Sequence, residues 1–146
     1  MSIAASDVKI GGCLCGGVRF QVSGPLRDVV SCHCTLCRKA TTQVFAATKA
    51  WLDDMALLSD ATLRWYRSGP NSERGFCGTC GAALFFRVDG SDQIAIGAGS
   101  IDGETGLKTA AHIYVADKGD YYDITDGRPC FDADDDLDLM PPRKAD

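Results

Sequence analysis

No stretch of this 146-residue chain stays apolar for the roughly 18 residues that a membrane-spanning helix needs. The opening "MSIAASDVKI" lacks a basic segment followed by an apolar run of about 7 to 15 residues, so export is not signalled either. There is no repeat of roughly 20 to 50 residues to indicate a solenoid, and no long helical pattern to carry the crossovers of a parallel sheet. Positive charge is in short supply: 15 Lys and Arg face 20 Asp and Glu, a formal charge of −5. Nonspecific nucleic-acid binding draws its affinity from cations that neutralise phosphates, so a nucleic-acid partner is not expected. These absences predict a cytoplasmic protein with neither nucleic acid nor membrane as partner, and they leave its oligomeric state open.

The chain is rich instead in glycine, with 16 residues, and in cysteine, with eight. In a reducing compartment, eight cysteines point to metal ligation or thiol chemistry rather than to a disulfide framework. The length fits a single domain, 1–146, large enough to bury a core. Short strand patterns dominate. In "VRFQV", Val18, Phe20 and Val22 alternate with Arg19 and Gln21, the period of a half-buried strand. "DVVSCHC", "TLRWY", "ERGF", "AALFFRV", "QIAIGAG" and "AAHIYV" follow suit between turn-rich breaks. "TLCRKA" has room for one helical turn, and "KAWLDDMALL" predicts a short helix with Trp51, Met55 and Leu58 packed inward. The expected fold is all-β: short antiparallel strands in packed sheets, with a metal-binding knuckle and at most one or two short helices. "FDADDDLDLM" and "PPRKAD" predict an acidic, partly flexible tail over 131–146.

Sorted by spacing, the thiols are Cys13-x-Cys15, Cys32-x-Cys34-x-x-Cys37, Cys77-x-x-Cys80, and Cys130 alone. In "FCGTCGAAL", Gly78 and Gly81 permit the tight turn that aims two sulfurs at one ion, and the glycines around "GGCLCGG" permit another. Together Cys13, Cys15, Cys77 and Cys80 make a closed four-thiolate site, structural in character; reduced cysteines without metal are the alternative. Cys32, Cys34 and Cys37 are then left as three ligands with an open position, the pattern of a catalytic ion. His33 lies inside that motif as a candidate fourth ligand or a hydrogen-bonding or packing residue; in an extended C-x-C its side chain points away from both sulfurs, which favours the second. Cys130 is expected to be a free thiol without catalytic duty.

"GGCLCGGVRF", "CHCTLCRK", "FCGTCGAAL" and "AHIYVADKGDYYDITDGRP" resemble the landmarks of the glutathione-dependent formaldehyde-activating enzyme family, which includes centromere protein V. The resemblance runs from about Gly11 to Pro129 and sets an expected core of about 11–130. It implies a mainly β fold similar to that of the small zinc-binding chaperones of Rab GTPases. It further implies two Zn2+ sites: a structural one at Cys13, Cys15, Cys77 and Cys80, and a labile, catalytic one at Cys32, Cys34 and Cys37. The implied chemistry is carbon–sulfur bond formation or cleavage, with a small-molecule thiol such as glutathione and an aldehyde such as formaldehyde as partners.

On that basis a substrate thiol, activated as thiolate, adds to an aldehyde carbonyl. Arg38 and Lys39 are candidates to offset the site's negative charge, or else surface residues. His112 is a candidate proton relay or a satisfied half-buried histidine, and Asp117 and Lys118 carry no role that spacing names. Trp65, Tyr66, Tyr121 and Tyr122 are expected in the core or at its rim. Two other readings compete: a zinc-stabilised binding module, which needs no pocket beside the trio, and a redox or metal-buffering thiol protein. Iron–sulfur ligation ranks below all of these because no fourth thiol lies near the trio in sequence.

Overall fold

The computed structural model describes residues 8–135 and 137–144. Residues 1–7, where the export motif is sought, and Asp136, Ala145 and Asp146 of the acidic tail lie outside the described residues. Three strands, β1 (Lys9–Gly12), β2 (Val18–Val22) and β5 (Met55–Asp60), form a small antiparallel sheet in the order β1-β2-β5. Seven others, β3 (Val29–Cys32), β4 (Phe45–Trp51), β6 (Leu63–Gly69), β7 (Ser72–Cys77), β8 (Ala83–Val88), β9 (Gln93–Gly97) and β10 (Thr109–Ile113), form the large sheet. Its order is β10-β3-β4-β9-β8-β7-β6. The α-helix α1 (Thr35–Thr41) follows β3, and three-residue 3₁₀ turns sit at Leu52–Asp54, Ala98–Ser100 and Val115–Asp117. Among the described residues no helix is long and apolar enough to cross a membrane.

The alternation in "VRFQV" does what period two predicts. Val18, Phe20 and Val22 are fully buried, and they pack with Ala50, Leu84, Phe85, Ile94 and Ile96 of the large sheet. Phe20 meets Phe85 edge to face, with centroids 5.4 Å apart. Burying a side chain of this size contributes about 1.5–3 kcal/mol, so this seam is the main fold-stabilising contact between the sheets.

The large sheet is used on both faces. Along β4, Ala50 belongs to the core between the sheets, whereas Phe45 and Ala47 join a second cluster with Ala95 and Cys37. Along β9, Ile94 and Ile96 face the core while Ala95 faces the second cluster. Successive side chains of a strand project to opposite sides, so one wall serves two compartments.

Two local expectations are corrected. "KAWLDDMALL" is not a helix: β4 runs through Trp51, a 3₁₀ turn follows, and β5 pairs antiparallel with β2. A helix this short is marginal alone, and strand pairing satisfies the open edge of β2. The sheet is also not wholly antiparallel, because β10 lies parallel to β3. A parallel pair needs a long connection; here α1 and the strands β4 to β9 supply it.

Beyond β10 the chain turns back along that strand. The His112 N–H donates to the Pro129 carbonyl, the Phe131 N–H to the His112 carbonyl and the Tyr114 N–H to the Ala133 carbonyl. The segment whose prolines and charges predict fraying lies against β4 at residues 141–144. The Trp51 Nε1–H donates to the Pro141 carbonyl at 3.2 Å, the Arg143 guanidinium lies 4.2 Å over the Trp51 ring, and Arg143 pairs with Asp92 at 3.0 Å.

Candidate metal centres and the adjoining cavity

Cys13 and Cys15 sit in the turn between β1 and β2, Cys77 ends β7, and Cys80 lies in the turn before β8. All four Sγ atoms fall within 4.8 Å of one another. Gly16 at φ +85° and Gly81 at φ +78° take left-handed conformations that let these turns close. Sγ of Cys15 is 3.6 Å from both Cys13 and Cys77. Zinc–sulfur bonds of about 2.3 Å in a tetrahedron put sulfurs about 3.8 Å apart, so this donor set fits that ion. Backbone N–H groups converge on the sulfurs: Val18 on Cys13 at 3.2 Å, and Cys80 and Thr79 on Cys77 at 3.3 and 3.4 Å. The Cys80 N–H, with the Thr62 hydroxyl, pulls the Cys77 thiol down to about 5.

The second cluster is local. Cys32 ends β3, Cys34 caps α1, and Cys37 lies in its first turn, buried. The three Sγ atoms lie within 4.8 Å of one another, and the Cys37 N–H donates to Cys34 Sγ at 3.3 Å. The neighbouring Cys32 thiol drives Cys37 down to about 6, and Cys37 in turn holds Cys32 strongly up. A cation helps: Arg74 of β7 donates from Nη2 to Cys37 Sγ at 2.9 Å. Its guanidinium lies over the rings of Phe45 and Phe86, at 5.5 and 5.2 Å, with Nε buried and unpartnered. Three soft donors with one side open suit a zinc ion that keeps a position for another ligand.

That open side gives onto a cavity of about 780 Å³. Arg27, Lys49 and Arg74 supply cations to its lining, Phe45, Phe86 and Ala95 apolar surface, and Asp134 and Asp135 carboxylates. Burial pulls the Arg27 and Lys49 side chains below their ordinary range.

On the reverse side of the C-x-C segment, His33 is 2% exposed and points away from the sulfurs. Its Nδ1 meets the Tyr122 hydroxyl at 2.5 Å and its Nε2 meets His112 Nδ1 at 2.9 Å. His112 Nε2 meets Asp126 Oδ2 at 2.8 Å. Burial, then the charge of His112, pushes His33 below its ordinary value, and the Arg128 N–H together with His112 holds Asp126 low.

All seven clustered cysteines named from spacing therefore meet in the two expected groups, and Cys130 stays exposed and apart. The cation on the trio is Arg74; the Arg38 and Lys39 side chains make no hydrogen bond to its sulfurs, and Lys39 is exposed. Asp117 lines the cavity, while Lys118 donates to the Tyr122 and Gly119 carbonyls. Trp65 stacks on Phe85 and under Arg87. Arg27, Lys49, Arg74, Tyr122 and Asp126 escape sequence reasoning. Only Arg74 leaves a trace, a cation inside the strand pattern "ERGF", set opposite Phe86 in β8.

The family model described as glutathione-dependent formaldehyde-activating enzyme matches residues 8–117. An uncharacterized lyase of Schizosaccharomyces pombe (strain 972) is 26% identical over 125 residues, spanning 85% of this chain and 90% of that protein. A crystal structure of a Rhodobacter sphaeroides protein aligns with a TM-score of 0.56 at 25% identity, covering 66% of this chain and 91% of that one.

Proposed function

The chain belongs to the glutathione-dependent formaldehyde-activating enzyme family, and from that premise we propose that it is a zinc-dependent carbon–sulfur lyase. Its substrate is the adduct of a glutathione-like thiol with formaldehyde or another small aldehyde. The observation that carries this reading is the asymmetry of the two clusters: four sulfurs close on one another, whereas three open onto a cavity of about 780 Å³. A binding module needs no such cavity, so its presence favours catalysis.

Cys13, Cys15, Cys77 and Cys80 hold the structural ion in this proposal, and Cys32, Cys34 and Cys37 hold the catalytic one. Bound there, zinc supplies a Lewis-acid position at which a substrate thiol is kept as thiolate. Arg74 offsets the negative charge that the sulfurs concentrate, through its bond to Cys37. Arg27 and Lys49, held partly desolvated in the wall, face the carboxylates of a glutathione-like thiol. Phe45 and Phe86 keep the reacting end dry, which strengthens those charges. In the synthetic direction sulfur bonds to the carbonyl carbon, the carbon–oxygen π bond opens, and the proton lost by the thiol is matched by one gained at oxygen. The lyase direction reverses each step. A cytoplasmic setting, where thiols stay reduced, belongs to the same proposal.

Elemental analysis of reduced protein, followed by a panel of thiols and aldehydes with product detection, tests it. Two zinc ions per chain and a thiohemiacetal product are expected. One zinc per chain, or no product from any pair, overturns it.

A further inference from the structure

The four side chains behind the trio form a continuous chain, Asp126–His112–His33–Tyr122, that the proposed chemistry does not use. With both imidazoles neutral, one arrangement of protons satisfies every member. Ionised Asp126 only accepts, so His112 Nε2 must carry the proton facing it and His112 Nδ1 must accept. His33 Nε2–H then donates to His112, and Tyr122 O–H donates to His33 Nδ1. Every ring nitrogen is thus engaged, which fixes the tautomer and the orientation of both rings.

The anchor is rigid. The backbone of His112 is paired on one side with β3, beside Ser31, and on the other with Pro129 and Phe131. Asp126 is itself oriented by the Arg128 N–H at 3.0 Å. At the far end, the Lys118 ammonium donates to the Tyr122 carbonyl at 2.6 Å and lies 4.9 Å over its ring. His33 is the middle residue of Cys32-His33-Cys34. In extended backbone its side chain and those of its neighbours project to opposite sides. Clamping the His33 ring therefore clamps the two peptides that aim Cys32 and Cys34.

We propose that Asp126 and His112 are positioning residues for the Cys32, Cys34 and Cys37 cluster, acting through His33 from the side opposite the cavity. This rests on the reading of that cluster as a metal site. Asp126 and Tyr122 also lie beyond residues 8–117, outside the stretch that the family model matches.

The test is zinc release to a chelator from the purified full-length chain, followed in wild type, Asp126→Ala and Asp126→Asn. Loss of a partner bonded directly to a metal ligand typically costs about 10- to 100-fold in metal affinity; Asp126 acts from further out, so the lower end of that range is expected. Asp126→Ala should release the trio's ion at least about tenfold faster, leaving release from the four-cysteine site unchanged. Asp126→Asn keeps an acceptor for His112 Nε2–H and should restore most of the retention. The low-field imidazole N–H proton signals should be present in wild type, weakened in Asp126→Ala and recovered in Asp126→Asn. Unchanged release in Asp126→Ala, equal loosening of both sites, or no rescue by Asn overturns the proposal. A wild-type chain with zinc only at the four-cysteine site overturns the catalytic reading instead. The chain of hydrogen bonds is then judged on alkylation of Cys34, which must be faster in Asp126→Ala than in Asp126→Asn and wild type.

Discussion

The two cysteine clusters use the same donor atom and differ in how much chain they join. Cys15 and Cys77 are 62 residues apart, so an ion between them ties the β1–β2 turn to the end of β7. Cys32, Cys34 and Cys37 lie on one short stretch, and gathering them restricts little of the unfolded chain. Loop closure costs more entropy the longer the loop, so an ion at the first cluster stabilises the fold by far the more. The surroundings differ too. Backbone N–H groups from the turns surround the first cluster, whereas a side-chain cation, Arg74, and an open cavity adjoin the second. Four thiols from distant segments suit a staple; three from one segment would leave a coordination position open.

The sharpest way to break this contrast is to exchange the penalties. Cys77→Ser should remove about 3 kcal/mol or more and lower the thermal midpoint by roughly 10 °C, read by circular dichroism. Cys34→Ser should leave the midpoint within about 2 °C and reduce turnover at least about a hundredfold. If Cys34→Ser unfolds the chain, or Cys77→Ser keeps both fold and zinc, the division of labour fails.

A finer probe is Arg74→Met. The Cys37 thiol is held near about 6, chiefly by Cys32 and then by Arg74. Loss of the cation disfavours the thiolate, so in metal-stripped protein the thiolate absorbance attributable to the trio should appear at higher pH, with that of Cys77 unmoved.

The smallest effect is expected at Arg143→Ala. It removes an exposed cation–π contact with Trp51 worth about 0.5–1 kcal/mol and should lower the midpoint by about 2 °C. Zinc at the four-cysteine site should stay put.

Period two made β2 legible, because Val18, Phe20 and Val22 bury one face while Arg19 and Gln21 lie on the other. Thiol spacing made both clusters legible, because the motifs are local and the turns around them are rich in glycine. Tertiary pairing decided what lay beyond that reach. "WLDDM" carries a helical spacing of apolar residues, yet the unpaired edge of β2 drew Met55–Asp60 into a strand. Asp126 and Tyr122 carry no local pattern that points to His33, since they lie 93 and 89 positions away in sequence. They meet it only because β10 pairs with β3 and the following loop folds back. Arg74 likewise reaches Cys37 across the sheet rather than along the chain.

The double duty of β4 and β9 has an evolutionary corollary. Alternate positions, Ala47 and Ala95 among them, contour the chamber, while their neighbours Ala50, Ile94 and Ile96 look inward to the seam between the sheets. Drift at the first set can resize the chamber in single steps without disturbing the packing behind it, so descendants can change what the chamber admits on an unaltered chassis.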